Sequence, residues 1–278
     1  MSVFLVPAAA PPARANLEET MRKRVPLHRL AGLSAKSVSR ARTVVDGVRA
    51  WGTQPGASNL NVATWEAMEP SDWVLFYSEG RFPAAGRVLL REHSQEVATE
   101  LWGTDGTGQT WEYLYLIDEV RWIEAPRLAV LKALTYEKPR FYPRKFIRVN
   151  RPIDPRYEDV EEMLDDLAAV GGALRQAVSA VGSGDRAAAA VAIDPLVDRM
   201  SKGALEEAIA RHTASAPPAV RKKVVEQLGR DRGLVVKLKN LYEGAANAAT
   251  SPSRRPMASP TARWRTCARS PSAKRTWT

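Results

Sequence analysis

The stretch Trp73-Val74-Leu75-Phe76-Tyr77 is an unbroken apolar run, with Pro70-Ser71-Asp72 before it and Glu79-Gly80 after it. A run this short, rich in aromatic residues and fenced by turn formers, reads as a β-strand buried on both faces. Working outward, Val3-Phe4-Leu5-Val6 is a short opening strand, Val44 to Trp51 a second, and Gly86 to Leu90 another. Trp111 to Ile123 forms a long β segment with partial alternation, ending before Pro126. Two short helices are expected among these strands. One runs from Asn16, as N-cap with Glu18 and Glu19 in its first turn, towards Arg24; the other covers Glu96 to Trp102. Many strands with a few flanking helices predict an α+β fold, a small barrel, over residues 1–152.

Beyond this region the pattern changes. Residues 153–245 are nearly free of aromatics, and Val160, Met163, Leu164, Leu167, Val170 and Leu174 recur at helical spacing. A second helix follows Gly182-Ser183-Gly184-Asp185. Pro217-Pro218 interrupts the pattern, and a basic helix is expected from Val220 to Tyr242. This segment reads as a helical linker or bundle. Residues 246–278 are dominated by Ser, Pro, Arg, Ala and Thr without periodicity, the composition of a disordered basic tail.

Charge follows the same division. The chain of 278 residues carries a net charge of +10. Arg254, Arg255, Arg263, Arg265, Arg269, Lys274 and Arg275 all lie in the tail, which has no acidic residue. The rest is only mildly basic, so total charge is weak evidence that the folded part binds nucleic acid. A single cysteine, Cys267, excludes an internal disulfide framework. No apolar run reaches the roughly 18 residues of a bilayer-spanning helix, and Met1 to Pro7 lacks a basic leader. A soluble cytoplasmic protein is expected.

The first half holds Val48-Arg49-Ala50-Trp51-Gly52-Thr53, then Trp65 to Tyr77, Ala84 to Val88, Leu101-Trp102-Gly103-Thr104, Trp111 and Tyr113 to Val120. This series resembles the EVE/YTH branch of PUA-like domains, in particular the modules that precede nuclease or GTPase domains in modification-dependent restriction systems. The resemblance implies a reader of modified DNA in which two tryptophans sandwich a flipped, methylated base. Carried over, Trp51 matches the first cage position and Trp102 the second. Asn59 and Asn61 fall where such domains hold polar contacts to the base. Trp65, Trp73, Trp111 and Trp122 lie in or beside strand patterns and read as core. Arg81, Arg87, Arg140, Arg144, Lys145 and Arg148 are candidate phosphate contacts. Tyr136 to Arg148 suits a nucleic-acid backbone and equally a charged, solvated strand edge.

Conventional enzyme motifs are missing: there is no Walker loop, GxGxxG or GxSxG. His28, His93 and His212 are far apart, with no metal-ligand neighbour at suitable spacing. Glu161, Glu162, Asp165 and Asp166 could hold a metal, but a solvated helix face is the commoner meaning of such a run. No cofactor is expected.

Leu234 to Ala245 resembles the helix that precedes the first zinc-binding Cys-x-x-Cys of many HNH endonucleases. Here Ala246-Asn247-Ala248-Ala249 stands in its place. Read one base earlier, those codons permit Cys-Gln-Arg-Cys, and Arg263 to Cys267 permit a histidine-bearing HNH segment. The tail is thus expected to be an out-of-frame HNH remnant. Intact relatives would use a divalent metal, with zinc in the knuckle; this chain lacks both sets of ligands. The expected partner is modified double-stranded DNA. An RNA-binding PUA-like protein and a non-catalytic interaction module are the alternatives.

Overall fold

The computed structural model describes residues 1–136, 141–183, 185–197, 199–212 and single positions at 222, 226, 230 and 232–233. All of them belong to one compact unit, Met1–Leu238. The expected helix at 220–242 and the tail at 246–278 lie essentially outside the described residues. No described helix is long and apolar enough to cross a membrane.

Six strands form one sheet: β1 (Val3–Pro7), β2 (Arg49–Thr53), β3 (Trp73–Ser78), β4 (Arg81–His93), β5 (Tyr113–Pro126) and β6 (Ile147–Arg148), in the order β2-β5-β4-β3-β1-β6. Every pairing is antiparallel except β1 with β3, where Val3 lies opposite Trp73. The turn before β3 fixes that register. Buried Asp72 accepts the Ser2 amide (2.5 Å) through one carboxylate oxygen and the Glu69 amide (2.9 Å) through the other.

The sheet curls into a half-barrel. In a flat sheet β5 and β6 would be about 19 Å apart, four strand spacings. Instead the Tyr115 ring on β5 stacks on Phe146, the residue before β6, with centroids 6.3 Å apart. Alternation along β3 explains how both faces stay dry. Val74 and Phe76 point inward with Phe4, Val6, Trp51, Ala84, Val88, Tyr115 and Phe146. Trp73 and Leu75 point outward with Val3, Leu5, Ala85 and Ile123.

Helices cover the outer face in two groups. Near β2, the inner ends of α2 (Ala35–Arg42) and α4 (Gln95–Trp102) pack Ala41, Val97, Ala98 and Leu101 on Ala50, Leu89, Leu114 and Leu116. Ser94 caps α4 by accepting the Val97 amide (3.2 Å). Over the centre lie α5 (Arg127–Ala133), α6 (Val160–Ser183), α7 (Arg186–Val197) and α8 (Lys202–His212). The helical repeat read from the sequence, Met163, Leu164, Leu167, Val170 and Leu174, is the face that α6 buries against Trp73, Leu75 and Ile123. The helical segment therefore shares its core with the sheet. Gly171 permits this closeness, since a Cβ there would strike the Ile123 and Glu124 carbonyl oxygens. The acidic residues of α6 face outward into ion pairs: Arg121 reaches Glu161 (3.2 Å) and Asp165 (2.8 Å), and Arg199 reaches Asp166 (2.6 Å).

Several local expectations are corrected. The first helix, α1, starts at Pro11 and runs to Asn16, continuing as a π-helical turn over Leu17–Arg22. Proline at the first helical position suits helix initiation, and Asn16 is a helical residue with no capping bond. β2 starts at Arg49, because the chain turns at Val44–Gly47 with Gly47 at φ +76°. Short α2 and α5, and α3 (Leu60–Glu66), were not legible from periodicity.

Gly171→Ala should destabilise the protein by about 1–3 kcal/mol through overpacking against β5. Denaturant unfolding measures this, and unchanged stability would show that α6 can withdraw from the sheet freely.

Candidate nucleic-acid interface

The curl leaves an open mouth between the two sheet edges, occupied by a cavity of about 810 Å³. Its walls are the end of β2 and the loop after it (Trp51 to Asn61), the segment Val6 to Ala13, and the approach to β6 (Tyr142 to Phe146). Trp111 and Asp105 close the side, and Tyr77 and Tyr115 also line it.

Trp51 belongs to this cavity. Its ring is largely buried, edge-on to Phe76 at 5.0 Å, and forms part of the floor. Trp102 does not reach it. Successive residues on a strand face opposite sides, and the α4 end that carries Trp102 packs behind Gly52, on the side away from the Trp51 ring. A Cβ at Gly52 would clash with the Trp102 ring and the Trp111 carbonyl. Trp51 and Trp102 therefore do not line the same cavity in this structure, as the expected sandwich would require. Instead, Trp102 stands edge-on to Trp111 at 6.5 Å, with its indole Nε1 donating to Thr20 Oγ1 (3.2 Å). Trp111, read from sequence as core, is half-buried and is among the residues that line the cavity. Tyr142 adds a third ring at the rim and is 38% exposed, open to a ligand.

The two asparagines separate likewise. Asn61 lines the cavity and donates from Nδ2 to the Gln54 carbonyl (3.0 Å), closing the loop between them. Asn59 is exposed, outside the cavity, in left-handed backbone at φ +58°. That conformation suits asparagine, whose short side chain tolerates it. Asp105 braces the opposite loop. Its Oδ1 accepts the Thr107 amide (2.8 Å), the Thr107 hydroxyl (2.7 Å) and the Gln109 amide (3.1 Å), while Oδ2 accepts Gln54 Nε2 (2.6 Å). The bonds from Thr107 and Gln54 hold its pKa down to about 2.

Tyr115 lies fully buried at the cavity floor, and desolvation pushes its phenol well above the ordinary tyrosine range. Its hydroxyl has no hydrogen-bond partner among the described residues. Tyr77 is also raised, chiefly by burial.

The candidate phosphate contacts fall into two groups. Arg81 pairs with Glu124 (3.1 Å), and Arg87 with Asp118 (3.2 Å) and Glu119 (3.1 Å), all away from the cavity. Arg144 and Lys145 are exposed on the cavity rim and make no ion pair among the described residues. Arg148 lies farther along the same sheet edge, donating to Ser2 Oγ (2.8 Å). Arg140 is outside the described residues. Among the described residues no group of three or more His, Cys, Asp or Glu could hold a metal ion.

This chain is similar to a domain solved on DNA. That solved domain is the N-terminal domain of Thermococcus gammatolerans McrB bound to m5C DNA, and the match has 16% identity and a TM-score of 0.42, covering 59% of this chain and 93% of that one. No family model matches the chain, and no curated protein does.

The Asp105 bonds predict a pH dependence with a definite sign. A depressed carboxylate pKa means that bracing of the loop is complete above the usual aspartate range and is lost as pH falls towards about 2. NMR titration of the Asp105 carboxyl should give that low value, and a midpoint near the ordinary 3.9 would show the four bonds are not maintained in solution.

Proposed function

We propose that this chain binds DNA and receives a modified base, extruded from the duplex, in the mouth of its half-barrel. The observation that carries this is the combination at one opening: three aromatic side chains, Trp51, Trp111 and Tyr142, beside two exposed cations, Arg144 and Lys145, that make no ion pair among the described residues. The resemblance of the first half to EVE/YTH-type PUA-like domains supports the same reading.

The energetics are adequate. Taking a base from the stack costs a few kcal/mol. Stacking on an aromatic face returns roughly 1–3 kcal/mol per base. Asn61, Gln54 and the Thr53 hydroxyl offer donors and acceptors for the base edge. A methyl group adds apolar area worth roughly 25 cal/mol per Å², enough to bias a closely fitting wall. Phosphates flanking the extruded nucleotide would lie against Arg144 and Lys145, with Arg148 next along the edge. Arg81 and Arg87 contribute less, because each would have to leave a carboxylate first. Trp102 acts through Trp111, and Asn59 through the shape of its loop.

The segment after the reader is read as the approach to an HNH nuclease whose ligands this chain no longer carries. DNA cleavage would belong to intact relatives, with modified-DNA binding the retained activity.

The test uses the full chain, because α6 to α8 complete the core of the sheet. Matched duplexes carrying 5-methylcytosine, 5-hydroxymethylcytosine, N6-methyladenine or no modification are titrated at moderate salt. One modified duplex should bind at least about tenfold more tightly than the unmodified one, the equivalent of 1.4 kcal/mol. Trp111→Ala should remove most of that preference. Trp51→Leu should do the same while keeping apolar volume against Phe76. Reversing both rim cations (Arg144→Glu with Lys145→Glu) should weaken binding to every duplex and flatten the salt dependence by about two phosphate contacts. Equal binding to all four duplexes, or stronger binding to matched RNA, would overturn the proposal.

A further inference from the structure

Arg127 is almost fully buried, at 2% exposure, at the start of α5. A charge held there must serve or be served by its neighbours, and burying it unpaired would be costly. Its guanidinium joins the Phe141–Tyr142 segment to α8. Nη1 donates to the Phe141 carbonyl (2.8 Å), Cζ lies 4.1 Å from the centre of the Tyr142 ring, and Nη2 pairs with Glu207 on α8 (3.2 Å). Its own amide donates to the Gly80 carbonyl (3.1 Å) in the β3–β4 turn. Over that turn lies the side chain of Arg211, one helical turn beyond Glu207 and paired to it (3.2 Å).

We propose that Arg127 is a positioning residue that couples α8 to the mouth of the half-barrel: Glu207 holds the guanidinium, and the guanidinium holds the Phe141–Tyr142 wall. The inference rests on the reading of the mouth as a ligand site, and deepens it by giving that site a connection to the helices that follow. The planar fork is what allows one side chain to face a carbonyl, a carboxylate and an aromatic ring together. Removing Glu207 takes away the carboxylate that ties the guanidinium to α8, so the guanidinium can shift, which loosens Phe141 and Tyr142. Coupling is reciprocal. A ligand that fixes Tyr142 should tighten α8, and a change in α8 should loosen the ligand site.

The experiment is hydrogen exchange on the full chain, wild type against Glu207→Ala, with and without the matched duplexes. Without DNA, Glu207→Ala should speed exchange across residues 141–148 at least tenfold and leave α4, at the far end of the sheet, unchanged. Its preference for the best modified duplex should fall by at least tenfold. Adding that duplex to wild type should slow exchange in α8. If Glu207→Ala loses its native near-ultraviolet signal, Arg127→Lys replaces it; that variant keeps the charge, loses the fork and should show the same pattern at several-fold. Unchanged exchange at 141–148 in a folded variant would overturn the coupling. Faster exchange there in a protein that discriminates no duplex would leave the coupling standing and remove the ligand reading instead.

Discussion

Everything in this molecule depends on the contact between Tyr115 and Phe146, which closes a sheet whose edges would otherwise stand far apart. Strands with apolar residues on both faces cannot remain an open sheet in water. Curling buries the inner face on itself, and helices bury the outer one. The curl is incomplete, and the gap that remains at one end is the cavity. Its floor is made of the residues that close the sheet, so the side chains that line the opening also stabilise the fold. Fully burying one such aromatic is worth a few kcal/mol, and the Tyr115 hydroxyl, with no partner among the described residues, returns part of that gain.

Much of this was legible in the residues. The run from Trp73 to Tyr77 declared a strand covered on both sides, and its side chains do divide between two cores. The spacing from Val160 to Leu174 identified the face that α6 buries. What could not be read was which tryptophan faces the mouth. Trp51-Gly52 and Trp102-Gly103 have the same local pattern, a ring followed by glycine at the end of an element. Only the pairing of β2 with β5 decides that one ring points inward while the other packs behind its neighbour's glycine. Trp111 was hidden for the complementary reason. It adjoins an apolar strand and looked like core, but it precedes the strand proper and stands at the mouth.

Charge had the same ambiguity. A cation in a sequence carries no sign of whether it is already paired. Arg81 and Arg87 sit on a strand whose neighbour supplies Glu124, Asp118 and Glu119, so their charge is used internally. Arg144 and Lys145, beside the opening, make no ion pair with a described carboxylate. The strong formal charge of the tail belongs to residues outside those described.

In the proposed mode of binding, a base leaves the helix and enters this cavity. Placing 2-aminopurine next to the modified base in the preferred duplex tests it directly, because its fluorescence rises when stacking is lost. Saturating protein should brighten that probe on modified duplex and leave the unmodified duplex dark. Full binding with no change in fluorescence would contradict extrusion, and with it the role assigned to Trp51, Trp111 and Tyr142.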